Sequence, residues 1–312
     1  MSQIKEYQAN NQLAKRRILN KILGNICCGL IPSKIIRQTM RHNARYGISL
    51  LRAFDIIRYR NFNNFTYLLS IIACLKNEAP YVCEWIEYYK LMGVEHFYLY
   101  NNNSTDNIDE LLEPYIYDGT VTLIDYPGLG VQAEMYNHAL NTYRLKSKWF
   151  AIVDLDEFIV PKKYPTILDL LQRYEEFSQL EIQWHLFGNA GHINKPQGLV
   201  IENFTLRGLD AARLGKSIFQ SIKTYIASVH NSYIVGDSKK ITIDEVQCNH
   251  YFTKSEEEYF TSKVARGNAT IYQPDRHNRT MFDAHNKNEV YDDTMLQYVD
   301  KIKTALAEKN RL

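Results

Sequence analysis

The sequence of 312 residues predicts an α/β fold in which a mostly parallel sheet is flanked by helices. Two observations predict this class. Continuously apolar segments of strand length alternate with amphipathic helical segments, and a polar loop follows each of the first four apolar segments. The composition agrees, because 45% hydrophobic and 23% charged residues are ordinary for a globular protein with a large core.

The chain begins with a basic segment, residues 1–62, whose apolar spacing predicts a helical arm. Residues 1–60 hold twelve Lys and Arg against two acids, a net charge of +10; because the whole chain carries +2, residues 61–312 carry −8. Such an arm either packs on the main domain or binds an anionic membrane surface, and the sequence leaves both interpretations open. Nucleic acid is the weaker alternative and is not predicted as a partner, because no known binding module accompanies the charge.

Residues 63–255 are predicted to form the main domain, and residues 256–312 a helical C-terminal extension. The first four strands are predicted to be, in order, "YLLSIIACL" at 67–75, "VEHFYLY" at 94–100, "TVTLIDY" at 120–126 and "WFAIV" at 149–153. The helices between them are predicted to begin near Pro80, after a capping residue among Ser104, Thr105 and Asp106, and at Gln132.

Polar segments leave all four strands at one predicted edge of the sheet. They are "CLKNEA", "YNNNSTD", "DYPGLG" and "DLDEF". Because the ligands of parallel sheets bind beyond the carboxyl ends of the strands, this edge is the predicted site.

A D-x-D motif, Asp154 and Asp156, follows the fourth strand, and Glu157 comes directly after it. Strand alternation would place both aspartates on one face, where they repel each other unless a cation joins them. A divalent ion that also binds substrate phosphates is the usual solution, and the alternative is an exposed acidic strand end. Phosphatases of the haloacid-dehalogenase type also carry D-x-D after a buried strand. Here, however, Glu157-Phe158 replaces their Gly-Thr, and three strand–helix units precede the motif.

The five cysteines are scattered without a C-x-x-C pair, which favours reduced thiols in a cytoplasmic protein. The longest apolar run near the N-terminus, "ILGNICCGLI", has ten residues and is too short to cross a bilayer. The sequence therefore predicts a cytoplasmic protein, with the basic arm as a candidate for peripheral binding to the inner face of the cell membrane.

Two segments resemble the glycosyltransferases of the family 92 and family-2-like group: "IIACLKNEAPYVCEWIEYYKLMGVEHFYLYNNNSTD" and "WFAIVDLDEFIVP". The resemblance extends through "WHLFGNAGH", "SIKTYIASVH" and "NHYFTKSEEEYFTSKVARG", and covers roughly residues 66–270. It implies the GT-A fold, a nucleotide-diphosphate sugar donor and a Mn²⁺ or Mg²⁺ cofactor. The basic arm resembles that of bacterial enzymes that build lipopolysaccharide or capsule, which implies a glycan or lipid-linked glycan acceptor.

The resemblance also implies site residues at the predicted edge. Asp156 would bind the metal and act in catalysis, and Asp154 would bind the ribose or the metal. The nucleoside would be held by Lys76, Asn77, Glu78, Asn102, Asn103 and Asp106. Gln132 and Glu134 would face the donor, and Lys223 the diphosphate. The alternatives are a helix cap for Asp106 and an exposed helix turn for Glu134.

A C-terminal histidine would complete the metal ligands, with His230 preferred over His250, which could equally be a packed histidine. The acceptor pocket would be lined by Trp184, His185, Gly188 and Asn189, although a buried strand tryptophan is about as common. The base that takes the acceptor's proton would be Glu181, His185 or Asp210, and the sequence does not choose among them.

These features together predict a metal-dependent glycosyltransferase that moves a sugar, with galactose as a candidate, from a UDP-sugar to a glycan, with inversion at the anomeric centre. One alternative is a non-catalytic binding protein with the same fold; the presence of both aspartates argues against it. The other is a sugar nucleotidyltransferase, which would normally carry a Gly-rich phosphate loop after the first strand, whereas "CLKNEA" has no glycine.

Overall fold

The computed structural model describes residues 34, 37–38, 52–266 and 277–309. Most of the predicted arm therefore lies outside the described residues, and its last helix, α1 (Arg52–Arg58), is inside. Asp55 on this helix lies 3.9 Å from the guanidinium of the buried Arg144, which links α1 to the main domain. None of the helices among the described residues has the length and apolar character needed to cross a membrane.

The main domain opens with strands and helices in alternation. They are β1 (Tyr67–Leu75), α2 (Ala79–Leu91), β2 (His96–Asn101), α3 (Ile108–Tyr117), β3 (Val121–Asp125), α4 (Gln132–Tyr143) and β4 (Ser147–Ile152). The four predicted strands and the three predicted helices between them are confirmed, with ends that differ by a few residues.

The second half of the domain is richer in strands. Its elements are β5 (Glu157–Pro161), α5 (Ile167–Arg173), β6 (Gln179–Leu186), α6 (Val200–Asn203), β7 (Leu206–Arg207), β8 (Gly215–Gln220), β9 (Thr224–Ile226), β10 (Tyr233–Ile234), β11 (Ser238–Lys240) and β12 (Val246–His250). A π-helix (Glu258–Lys263) runs into α7 (Val264–Arg266), and α8 (Arg279–His285), β13 (Val290–Tyr291) and α9 (Val299–Lys309) complete the described residues.

The main sheet has the strand order β3-β2-β1-β4-β8-β6-β12-β5, with β11 paired to β6. The pairs among β1, β2, β3 and β4 are parallel, as are β6 with β11 and β6 with β12. Strand β8 is antiparallel to both of its neighbours, and β5 is antiparallel to β12. The sheet is therefore mostly parallel, and its antiparallel strands bring distant segments of the chain beside the D-x-D motif.

Side-chain alternation gives the sheet two apolar faces. On β1, Ile71 packs in one core with Trp85 of α2 and Leu112 of α3, while the adjacent Ile72 packs in a second core with Tyr136 of α4. The first core also contains residues of α5 and the buried Ile302 of α9. Helices thus cover both faces, and the predicted α/β fold class is confirmed. The predicted domain boundaries at residues 62 and 255 stay predictions.

Glu84 of α2 is a buried carboxyl that holds the start of α6. Its two oxygens accept hydrogen bonds from the backbone N–H groups of Val200 (2.8 Å) and Ile201 (3.0 Å). Burial raises the pKa of Glu84 to about 7, although these hydrogen bonds oppose the shift. Because the folded-state pKa lies above the ordinary value of 4.5, the contribution of Glu84 to stability is full below that value and is lost as the pH rises through about 7.

We expect Glu84→Gln to flatten the pH dependence of the free energy of unfolding between about pH 4.5 and 7, because glutamine keeps the shape of the side chain but does not titrate. A shift of this size corresponds to about 3 kcal/mol. Urea unfolding of both proteins across this range should show the wild type losing up to that amount relative to the variant. The exposed Glu113→Gln is the matched control. Parallel stability curves for wild type and Glu84→Gln would contradict the assignment.

Candidate functional site

The D-x-D motif lies on a turn between β4 and β5. Strand β4 ends at Ile152, and β5 begins at Glu157, whose backbone N–H donates to the carbonyl of Asp154 (3.0 Å). The indole N–H of Trp85 donates to the carbonyls of Asp154 (3.1 Å) and Glu157 (3.2 Å) and so fixes the turn. Our prediction that both aspartates extend from one face of a strand is therefore wrong, because the chain reverses between them.

Asp154 points to the side of the turn where α4 and β8 lie. One oxygen is 2.7 Å from the ammonium group of Lys216, which is the second residue of β8 and is only 1% exposed. The other oxygen accepts hydrogen bonds from Gln132 Nε2 and Tyr136 OH, each at 3.3 Å. Asp154 is thus held by one cation and two neutral donors from the adjacent elements.

Asp156 points to the other side, toward the C-terminal part of the domain. Its Oδ2 is 2.6 Å from the ammonium group of Lys263, and its Oδ1 lies 3.6 Å from Nε2 of His250. Burial opposes ionisation of Asp156, but the charge of Lys263 and the hydrogen bond with His250 outweigh it and hold the pKa of this carboxyl well below its usual range. Asp156 is therefore a buried carboxylate with one oxygen turned toward a histidine.

Glu157 is the third carboxyl of the cluster and is completely buried. Its Oε2 accepts from the backbone N–H of Asp154 (2.8 Å) and lies 3.2 Å from Lys216. Its Oε1 is buried with no hydrogen-bond partner among the described residues, 4.0 Å from Nε2 of His250. Burial raises the pKa of Glu157 to about 8; Lys216 opposes the shift, and the neighbouring aspartates add to it.

Asp156, Glu157 and His250 each offer one ligand atom, and these atoms lie within 4.8 Å of one another. Burial lowers the pKa of His250, so the ring is neutral at physiological pH, which is the form that binds metals. The buried Glu157 Oε1 without a partner is the atom that a cation would satisfy. Carboxylate oxygens with one imidazole nitrogen form a ligand set suited to a divalent ion such as Mn²⁺.

Trp184 of β6 forms a wall of this cluster. The centre of its ring lies 4.6 Å from that of His250 and 5.2 Å from that of His230, and the Lys216 ammonium is 5.9 Å away. His230 itself is held through Nδ1 by the carbonyl of Gly215 (2.9 Å). Of the two predicted histidines, the structure brings His250 against Asp156, whereas His230 lies beside Trp184, near Lys216 and Asp154.

The predicted nucleoside residues after β1 and β2 lie together at one edge. Asn77 accepts from the backbone N–H of Thr105 (2.7 Å) and donates its own to Ser104 Oγ (3.0 Å). Asp106 accepts from the N–H of Ala79 (2.9 Å), so it caps α2 across the loop rather than α3, which follows it in the chain. Thus the two loops form one unit.

The remaining predicted donor residues lie around this unit. Asn102 is buried and donates to the carbonyls of Tyr126 (3.0 Å) and Gly128 (2.9 Å), whereas Asn103 is exposed with a positive φ of 57°. The carbonyl of Lys76 and the carboxylate of Glu78 both face Arg266 of α7. Gln132 reaches Asp154, and the half-buried Glu134 lies in the same first turn of α4.

Lys223 is not brought to the site. Because β8 is antiparallel to β4, its last residue, Gln220, pairs with Trp149 near the start of β4. Lys223 follows on a short 3₁₀ turn at that end of the sheet, where the neighbouring charges are Glu175 and Lys148. Lys216, at the other end of β8, is the lysine that reaches the carboxylates.

The predicted base and acceptor residues are spread over several places. Glu181 accepts from Ser238 Oγ on β11. His185 lies near Arg207, Asp292 and Lys162, on the opposite face of β6 from Trp184, and burial lowers its pKa to about 4. Asp210 is exposed on the loop whose Ala212 N–H donates to the Trp184 carbonyl (2.7 Å).

Gly188 and Asn189 pack against the C-terminal segment. A Cβ at Gly188 would lie 2.5 Å from the carbonyl oxygen of Lys287, and the Asn189 N–H donates to Asn286 Oδ1 (2.7 Å). These contacts give both residues a structural role in docking that segment.

Four residues in and around the site were not predicted as site residues: Glu157, Lys216, Lys263 and Arg266. Glu157 adjoins the motif, and Lys263 and Arg266 lie in "YFTSKVARG", a segment whose resemblance was noted without a role for either residue. Lys216 offered one weak signal, a lone lysine at the start of an apolar strand.

Comparison with known proteins identifies the family. Residues 70–301 match the family model described as Glycosyltransferase family 92. A family 92 protein of Oryza sativa subsp. japonica is 27% identical over 215 residues, which are 65% of this chain and 36% of that protein. A galactan beta-1,4-galactosyltransferase of Arabidopsis thaliana is 35% identical over 131 residues, 38% of this chain and 26% of that protein. The chain thus spans about a third of the length of the curated relatives it matches.

A crystal structure of S. aureus TarS 1-349 is similar with a TM-score of 0.39 and 13% identity, covering 63% of each chain. The bacterial surface-glycan type implied by the resemblance is not supported, because the curated relatives described here are plant proteins. The prediction of a glycosyltransferase is confirmed at the level of the family. With its D-x-D turn inside the matched residues, the chain belongs to glycosyltransferase family 92.

Proposed function

We propose that this protein transfers a hexose, with galactose as the first candidate, from a UDP-sugar to a glycan acceptor in a reaction that needs a divalent cation. One observation carries the proposal: among the residues that the structure describes, the buried Oε1 of Glu157 has no hydrogen-bond partner, and it lies near His250 Nε2 and Asp156. These three residues would hold the cation. Galactose is the first candidate because two relatives are galactan beta-1,4-galactosyltransferases of Arabidopsis thaliana.

The cation, when bound, would neutralise the negative charge that develops on the diphosphate leaving group. The protein's own residues prepare the site for it. Lys263 stabilises ionised Asp156, and Lys216 lies between Asp154 and Glu157. Three carboxyl groups share two ammonium groups, so their charges balance while Glu157, whose pKa is raised to about 8, keeps its proton; a bound cation would replace that proton.

The donor's nucleoside would lie over the joined loops after β1 and β2, where Asn77 and Asn102 are fixed by hydrogen bonds. Gln132 is positioned by Tyr136 (2.7 Å) and contacts Asp154, so it would orient the donor beside the motif. A rigid polar edge of this kind supports binding because little conformational freedom is lost when the ligand arrives.

The acceptor would lie beside Trp184, whose partly exposed ring suits stacking on a sugar. The base that takes the acceptor's proton stays a prediction among Glu181, His185 and Asp210; Asp210 is exposed, and its backbone lies beside His185. Inversion at the anomeric centre stays a prediction. A lipid-linked acceptor also stays a prediction. So does peripheral membrane binding, because it was predicted for residues 1–60, which lie largely outside the described residues.

The proposal is tested by a thermal-shift screen of nucleotide sugars with and without Mn²⁺. At a ligand concentration near 100 times the Kd, we expect a stabilisation of about 2.7 kcal/mol, or roughly 5 °C in Tm. UDP-galactose should give this shift only when Mn²⁺ is present, and transfer to a galactan oligosaccharide should show the same metal dependence. Mg²⁺ and GDP-sugars serve as comparisons. Equal shifts with and without metal would overturn the metal dependence, and stabilisation without transfer would identify a binding protein.

His250 and His230 provide a matched pair of variants for the metal site. We expect His250→Ala to weaken Mn²⁺ binding by at least about 10-fold, because the loss of a direct ligand should cost no less than the loss of an outer-shell partner. His230→Ala should leave the Mn²⁺ affinity nearly unchanged, since the ligand atoms that meet among the described residues belong to Asp156, Glu157 and His250. Calorimetric titration of MnCl₂ measures both. A larger loss of Mn²⁺ affinity in His230→Ala than in His250→Ala would instead identify His230 as the metal ligand.

A further inference from the structure

A cavity of about 190 Å³ lies beside Lys263, the ion-pair partner of Asp156. Its lining includes residues from the start of α2, from one loop, and from the segment that leads into α7: Asn77, Tyr81, Lys195, Lys254, Lys263 and Arg266. At roughly 30 Å³ for each water, the cavity has room for about six water molecules. That volume accommodates a phosphate or diphosphate group, and it is well below the ~300 Å³ at which pockets for whole small-molecule ligands begin.

Lys254 is the unusual residue of this lining. It is only 6% exposed, and its φ of 49° lies in the left-handed region that a lysine seldom adopts. The residue that follows, Ser255, begins the helical segment through reciprocal hydrogen bonds with Glu258. The turn therefore buries the lysine side chain against the cavity at a cost in backbone strain.

The Lys254 ammonium lies 3.7 Å from the centre of the Tyr81 ring, and the Lys195 ammonium lies 5.1 Å from it on the exposed side of the cavity. The negative face of an aromatic ring offsets part of the cost of removing an ammonium group from water. It does not supply the hydrogen-bond acceptors that a lysine normally has. An anion in the cavity would supply them.

Each of the carboxylates around the cavity described here has at least one partner. Lys263 pairs with Asp156, and Arg266 pairs with Glu78. Both oxygens of Glu258 accept hydrogen bonds, Oε1 from Tyr81 OH (2.6 Å) and Oε2 from Ser255 Oγ (2.6 Å). Glu257 Oε2 accepts from the backbone N–H of Lys195 (2.8 Å). Within the part of the chain that the structure describes, neither Lys254 nor Lys195 forms an ion pair with a carboxylate.

We propose that this cavity is a binding subsite for a phosphate-type oxyanion, with Lys254 as its main cationic ligand and Lys195 at its mouth. Lysine suits this ligand because its ammonium group donates up to three hydrogen bonds to phosphate oxygens. The inference rests on the proposed function only for the source of the phosphate. The bound group would belong either to the diphosphate of the sugar donor, which would extend from the carboxylate cluster past Lys263, or to a phosphate carried by the acceptor.

Calorimetric titration with pyrophosphate in the presence of EDTA tests the subsite without any contribution from metal. We expect the wild-type chain to bind pyrophosphate and Lys254→Met to bind it about 10-fold or more weakly, the loss typical of a charged hydrogen bond. Lys254→Arg should stay within about threefold of wild type because it retains the charge. Lys301→Met, which removes an exposed lysine of α9, should bind as wild type does. Thermal midpoints of all four proteins report whether each is folded.

A second titration, with UDP and excess Mn²⁺, identifies the source. If Lys254→Met weakens UDP as well as pyrophosphate, the subsite holds the donor's diphosphate. If it weakens pyrophosphate alone, the subsite serves a phosphorylated acceptor. Failure of wild-type protein to bind pyrophosphate, or equal binding by folded Lys254→Met, would overturn the proposal. A failure of the proposed function would be recognised separately. If the wild-type protein does not bind UDP in the presence of Mn²⁺, the proposed function is wrong, but the metal-free titration with pyrophosphate still tests the subsite.

Discussion

Asp156→Asn should lower Mn²⁺-dependent turnover of the UDP-sugar by about 10²- to 10³-fold, the size of effect seen when one stabilising group is lost from a charged transition state. Asparagine has nearly the same shape but removes the negative charge and offers only one oxygen. The metal would lose one of its two carboxylate ligands, and the ammonium of Lys263 would lose its ion-pair partner at 2.6 Å. We therefore expect weaker Mn²⁺ binding together with the loss of rate.

Steady-state kinetics at several Mn²⁺ concentrations separate these two effects. If the main defect is metal affinity, high Mn²⁺ should restore part of the rate; if it is charge in the transition state, kcat should stay low at saturation. Asp109→Asn, at an exposed position in the first turn of α3, is the matched control and should keep full activity. Unchanged turnover in a folded Asp156→Asn protein would remove this residue from the site.

The first half of the fold could be predicted because its signals are local. Strand β1 is a nine-residue run whose residues 69–73 are buried on both faces, and its prediction at 67–75 matches the structure at both ends. The polar segments after the strands were placed at one edge for the same reason, since parallel strands end together. The D-x-D motif was found this way, although the turn that carries it was predicted as strand.

The other side of the site depends on pairings that no local pattern reveals. His250 faces the carboxylates because β12 pairs antiparallel with β5 in a register that sets His250 opposite Glu157. Lys216 reaches Asp154 because β8 is inserted between β4 and β6. The sequence shows neither pairing, so a preference between His230 and His250, or between Lys223 and Lys216, had no basis in local spacing.

Lys216 also shows how the cluster balances stability against the demands of the site. Its ammonium is fully buried between a half-exposed aspartate and a completely buried glutamate. A buried lysine is tolerated only because two carboxyl groups compensate the loss of hydration. The same lysine holds both acids in place, while Glu157 Oε1 has no hydrogen-bond partner in the described part of the chain. This arrangement leaves Glu157 Oε1 available as a metal ligand, while Lys216 compensates part of the negative charge of the two acids.

Lys216→Met should therefore destabilise the chain by about 3 kcal/mol, because removing one partner of a buried ion pair leaves the other uncompensated. For a domain with a total stability of about 5–15 kcal/mol, this loss should be visible as a fall in Tm of several degrees. Urea unfolding in EDTA measures it without interference from metal. Lys239→Met, at an exposed position of β11, is the control and should cost less than about 0.5 kcal/mol.

A double-mutant cycle with Glu157→Gln separates the ion pair from simple packing. If Lys216 acts mainly through the buried carboxyl, the neutral glutamine removes the need for the lysine, and the double variant should lose about 1–3 kcal/mol less than the sum of the single losses. Additive losses would mean that the packing of the Lys216 methylene chain accounts for the effect. Because Lys216 is also 2.7 Å from Asp154, some coupling should remain even with Glu157 neutral, and Asp154→Asn in the Lys216→Met background measures that remainder.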